Sequence, residues 1–174
     1  MFERVKVSEI YDSMEALGSK DPTARKKAQI TLAGIGKQAV PALLQSVHRP
    51  EAEVRRQIAA IFGEIKDPST VPALIDMLED SSYEVRWRAA ESLIKMKRIA
   101  LVPLLKELQR KERFGSVIFL DSAHHVLRIL NEEGCLGPST DVLAAFDGPQ
   151  RDVTIPWACL RTLEKLDPSC VSGK

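Results

Sequence analysis

Val54, Ile58, Phe62 and Ile65 recur at spacings of 4, 4 and 3, with Arg55, Arg56, Gln57 and Glu64 among the residues between them. One apolar stripe at a 3.6-residue period predicts an amphipathic helix. A second stripe, Val71, Leu74, Ile75 and Leu78, predicts a shorter helix with Pro72 near its first turn, where a missing N–H costs little. The stretch "KDPST" supplies the turn between the two. This pair of helices is repeated. Val40, Val71 and Val102 each precede a proline (Pro41, Pro72, Pro103) at steps of 31 and 31. Upstream of them, "TARKKAQITLAGI" (23–35), "EVRRQIAAIFGEI" (53–65) and "EVRWRAAESLIKM" (84–96) carry Arg25, Arg55 and Arg86 at steps of 30 and 31. Asp21, Glu51 and Ser82 stand four residues before those arginines, in N-cap positions. A period near thirty marks an array of helical hairpins, each too short to bury its stripes alone.

The ends of the chain depart from the period. Ile10, Met14 and Leu17 match Val40, Leu44 and Val47 at an offset of 30, which predicts a lone capping helix. The expected organisation is a single domain over 1–174. It comprises a cap at 7–20, regular repeats at 21–50, 51–80 and 81–112, a degenerate repeat at 113–148, a terminal helix at 149–167, and a frayed tail "DPSCVSGK".

The pattern A-R-x-x-A-x-x-x-L…V-P-A-L-L at 23–44, echoed at 53–75 and 84–105, resembles the HEAT-like repeats first associated with phycobilisome (bilin) lyases. The resemblance covers residues 10–110 well and 115–166 loosely. It implies an all-α, right-handed α-solenoid of about four to five helix pairs. It is specific for fold and poor for function. Deoxyhypusine hydroxylase is similar in architecture but holds a di-iron centre with repeated His-Glu dipeptides. This chain has three histidines (His48, His124, His125) and no His-Glu pair, so that reading is set aside. HEAT-like alkylpurine DNA glycosylases need a basic groove lined by aromatics, which a net charge of +1 and two tryptophans do not favour. A bilin lyase-like or other cofactor-handling role stays open as the alternative. The reading adopted is a non-enzymatic interaction or scaffold module, with no cofactor and no metal.

Composition adjusts this picture only slightly. Hydrophobic residues at 44% and aromatics at 5% predict a core of Leu, Ile, Val and Ala. Lys and Arg total 25 against 24 acidic residues, which gives no bulk attraction for nucleic acid or an anionic membrane. The first residues carry charges where a signal peptide needs an apolar run, and no long apolar segment occurs. Three cysteines without a C-x-x-C pair (Cys135, Cys159, Cys170) are read as reduced thiols of a cytoplasmic protein. Cys159 is expected to be packed and Cys135 to be open to solvent in its loop. His124 and His125 are neighbours on a predicted helix, about 100° apart, and cannot chelate one metal together. They fall beside the core stripe and are expected to pack between helices. The arginine ladder is expected to pair within the chain.

One face is a candidate for a partner. The stripe Val40, Leu43, Leu44, Val47 marks the buried side of its helix and puts Gln45 roughly 140–150° away. Its equivalents are Glu15, Asp76 and Glu107. The resemblance implies that second helices line the concave side. The file Glu15–Gln45–Asp76–Glu107 is therefore expected to bind a basic or amide-rich segment of another protein and to repel nucleic acid.

Overall fold

The structure, a computed structural model, describes residues 2–110, 116–137 and 141–166; the expected tail and most of the charged run after residue 109 lie outside these. All regular structure among the described residues is helical. The chain divides into two compact units, Met1–Lys95 and Met96–Lys174, a division that falls inside the segment expected as the third regular repeat.

The first unit holds α1 (Phe2–Ala16), α2 (Pro22–Ile35), α3 (Val40–Gln45), α4 (Ala52–Ile65), α5 (Val71–Asp76) and most of α6 (Tyr83–Met96). Helix α1 starts five residues ahead of the expected cap. Of its matched stripe, Ile10 and Leu17 are buried and Met14 is half-buried. Asp21 caps α2, its Oδ1 accepting from the Thr23 N–H at 2.9 Å, with Pro22 at the first helical position. Helices α3 and α5 are each preceded by a 3-10 turn, Gly36–Ala39 and Pro68–Thr70. Their prolines therefore fall in the first α turn.

Three helices, α2, α4 and α6, are each followed by a residue of positive φ. Gly36 (φ 69°), Lys66 (φ 54°) and Lys97 (φ 52°) occupy the residue after α2, α4 and α6. Positive φ is free for glycine and strained for lysine; Lys66 is left-handed helical (ψ 36°), whereas Gly36 and Lys97 have ψ −135° and −123°.

The core of this unit takes in most of the expected stripes, with Leu44, Val47 and Ile65 only half-buried. Val54, Ile58, Phe62, Val71, Leu74, Ile75 and Leu78 are all buried. Helices α4 and α6 meet at Gly63, where a Cβ would lie 2.5 Å from Ser92 Oγ and 2.7 Å from Ser92 Cβ. The buried Ser92 hydroxyl donates to the Ala59 carbonyl at 2.8 Å beside this contact. Gly63→Ala is expected to destabilise the protein by about 1–3 kcal/mol in urea melts, because backbone must move and not only a side chain. An unchanged midpoint would mean the two helices separate at little cost.

The second unit holds α7 (Arg98–Glu107), α8 (Val117–Glu132), α9 (Asp141–Asp147) and α10 (Arg151–Leu166). Here the proline register differs from expectation. No separate 3-10 turn precedes α7, which starts directly after Lys97, so Pro103 lies inside the helix. Ser116 caps α8 by accepting from the Phe119 N–H at 3.2 Å. Phe119, Ala123, Val126, Leu127 and Leu130 form its buried stripe. Helix α10 packs along α9 and α7, burying Ile155, Ala158, Cys159 and Leu163.

Candidate functional site

Each of the four candidate partner residues stands in the last turn of a helix: Glu15 in α1, Gln45 in α3, Asp76 in α5, Glu107 in α7. A carboxylate there meets the negative end of the helix dipole, which is locally unfavourable and deepens the negative potential around it. Glu15, Gln45 and Asp76 are exposed. Glu15 and Gln45 line one cleft of about 380 Å³ together with Tyr11, Asp12 and Ala42. Asp76 lines a second cleft of about 520 Å³ with His48, Pro72 and Asp80. Arg49 lines both, so the two clefts adjoin along the exposed edges of α1, α3 and α5. Glu107 belongs to the second unit, is half-buried, and pairs with Arg110 at 3.4 Å.

The arginine ladder is committed inside the protein. Arg25 donates to the carbonyls of Ser19 and Lys20, Arg55 to those of Arg49 and Pro50, and Arg86 to those of Asp80 and Ser81. Each guanidinium thus closes the loop ahead of its own helix, five and six residues back. Arg25 also reaches Glu53 at 3.0 Å. Arg55 grips Asp80 with two bonds of 2.7 and 2.8 Å. Burial alone would raise the Asp80 pKa; the Arg55 bonds and the Ser82 backbone N–H outweigh it and hold the carboxyl below its usual range. Arg56 is likewise paired with Glu53, at 2.7 and 2.9 Å.

Among the described residues both cysteines are buried. Cys159 is fully buried, and burial pushes its thiol up to about 12. Cys135 is not open to solvent as expected: Gly134 at φ 75° turns the chain back, and the Cys135 N–H donates to the Leu130 carbonyl at 2.8 Å. This tuck leaves Cys135 buried. Cys170 lies outside the described residues.

His48 follows α3 in the first unit, exposed. His124 stacks on Phe146, ring centroids 4.7 Å apart and planes within 7°. Burial first, then Arg128, lowers the pKa of His125. Among the described residues no group of three or more His, Cys, Asp or Glu is placed to hold a metal ion.

With this geometry in place, comparison with known proteins assigns part of the chain. Residues 40–117 match the family model for HEAT repeats. The match is to HEAT repeats in general and does not extend to the phycobilisome-lyase subgroup. Among curated proteins, this chain is 34% identical over 91 residues to a deoxyhypusine hydroxylase of Schizosaccharomyces pombe, covering 51% of the chain and 29% of that protein. It is 34% identical over 104 residues to the enzyme of the same name in Candida albicans, covering 57% and 33%. It is 32% identical over 94 residues to that of Emericella nidulans, covering 50% and 28%. The chain therefore spans about a third of the length of these relatives.

These relatives overturn the expectation of a non-enzymatic interaction or scaffold module, because all three are named as an enzyme. The error has an identifiable origin. The absence of His-Glu dipeptides tests for one metal site at a few positions, whereas identity over about a hundred residues samples the whole repeat framework. No helix among the described residues is long and apolar enough to cross a membrane.

Proposed function

We propose that this chain is the substrate-binding repeat segment of an enzyme of the hydroxylase kind. The observation that carries the reading is the 32–34% identity to three deoxyhypusine hydroxylases over about half of the chain. The di-iron centre associated with deoxyhypusine hydroxylase does not fit the residues present, since His124 and His125 are consecutive on one helix and no group of three or more His, Cys, Asp or Glu forms among the described residues. No step through a metal is therefore assigned to them. What the residues offer is exposed carboxylates at two clefts that Arg49 also lines. Glu15 and Asp76, exposed at helix C-terminal ends beside Gln45, direct carboxylates and dipole ends toward the same pair of clefts. The bound segment is basic, and the orientation of its modified side chain is the enzymatic contribution.

Isothermal titration with a lysine-rich peptide carrying deoxyhypusine, against the same peptide without it, tests this. The modified peptide is expected to bind more tightly. Reversing Glu15 and Asp76 to lysine is expected to weaken it about tenfold or more, or at least about 1.4 kcal/mol, with little change in melting temperature. Equal affinity for the two peptides, or no binding, sinks the reading.

A further inference from the structure

We infer that this chain holds no metal centre of its own, and that His124 serves as a packed ring joining α8 to α9. The inference narrows the substrate-binding reading: the metal of any hydroxylase this chain serves is held by other residues. All three histidines of the sequence lie among the described residues, so no further imidazole is left to complete a site. His124 and His125 follow one another on α8, about 100° apart, so they do not share a face as an i, i+4 pair would.

Each member of the pair also has a surrounding that explains it without metal. His124 lies flat on the Phe146 ring at 4.7 Å, the near-parallel arrangement of two packed aromatic faces. Phe146 is buried near the end of α9, a helix of only seven residues. So short a helix depends on side-chain packing to hold its place, and the stack supplies such a contact. His125 is half-buried near Arg128, a cation that disfavours both the imidazolium and a bound metal ion.

Two variants of the full chain separate packing from ligation. After anaerobic incubation with ferrous iron and desalting, elemental analysis of the parent protein is expected to show no stoichiometric metal. His124→Ala should lower the melting temperature by about 2–6 °C, the equivalent of one aromatic pair in a protein of this size. His124→Phe keeps a ring over Phe146 and is expected to melt within about 2 °C of the parent. One equivalent of iron in the parent, lost in both variants, overturns the inference. So does a His124→Phe protein that melts as low as His124→Ala, since the ring would then not be what matters. Peptide titration of His124→Phe reports on the substrate-binding reading alone and is expected to match the parent, so the two ideas fail separately.

Discussion

Truncating Leu74 to alanine is expected to cost about 2–5 kcal/mol of folding stability. Leu74 is fully buried on the central stripe of α5, between Val71 and Leu78, which are equally inaccessible. Removing its isobutyl group loses transfer free energy and leaves a cavity that close-packed neighbours fill only in part. The stripe recurs at Val40 and Leu43 in α3, so the disturbed layer also carries the preceding hairpin of the first unit. Urea denaturation of parent and variant measures the difference directly. A loss below about 1 kcal/mol would place the stripe outside the core and would undo the helix register.

A second large effect is expected at Asp80. Its carboxylate takes two bonds from Arg55, and both side chains are only 11–12% exposed. Asp80→Ala leaves the guanidinium largely dehydrated and without its acid. The expected cost is about 2–4 kcal/mol, toward the lower end of what breaking a buried pair costs because some water still reaches it. The effect also depends on pH in a defined sense. The folded-state pKa of Asp80 is lowered. Its stabilisation is therefore present above the unfolded value of about 3.9 and is lost as pH falls through the lower folded value. The gap between parent and Asp80→Ala should be constant from neutral pH to about 5 and should close below about 4. A gap that persists undiminished in acid would mean the carboxylate is not what stabilises the loop.

Much of this architecture could be read from spacing. The Val-Pro columns 40, 71 and 102 and the arginine columns 25, 55 and 86 located the hairpins, because a stacked unit must present the same side chains to each neighbour. Local deviations were hidden from the same reasoning. Pro103 ends up within α7 because no distinct 3-10 turn separates Lys97 from that helix, a difference in backbone winding that leaves no mark in the apolar pattern. The positive-φ column was legible at Gly36 but not at Lys66 and Lys97, since lysine is not a residue that signals a left-handed turn. Cys135 was misplaced because burial there follows from a glycine turn and not from periodicity.

The candidate site was visible in part. The 100° rotation per residue is enough to place Gln45, Glu15 and Asp76 away from the core stripes. It carries no information on which of them share a cleft, which depends on the stacking of α1, α3 and α5. The likeness to deoxyhypusine hydroxylases was weighed in the sequence and set aside, because that reading asked for the chemistry of a metal site and not for similarity of the framework.

The arginine contacts carry a consequence for how the first unit comes apart. Arg55 holds its own entry loop through the Arg49 and Pro50 carbonyls and, with the same guanidinium, the acid that opens the next hairpin. Arg25 does the same toward Glu53. One side chain is thus shared between two adjacent units of structure, so the free energy of each hairpin includes a term that exists only while its neighbour is folded. In a linear array such nearest-neighbour terms decide whether repeats melt singly or together. Backbone amides of α2, α4 and the entry to α6 should accordingly exchange with solvent in one concerted opening and not peel away from one end.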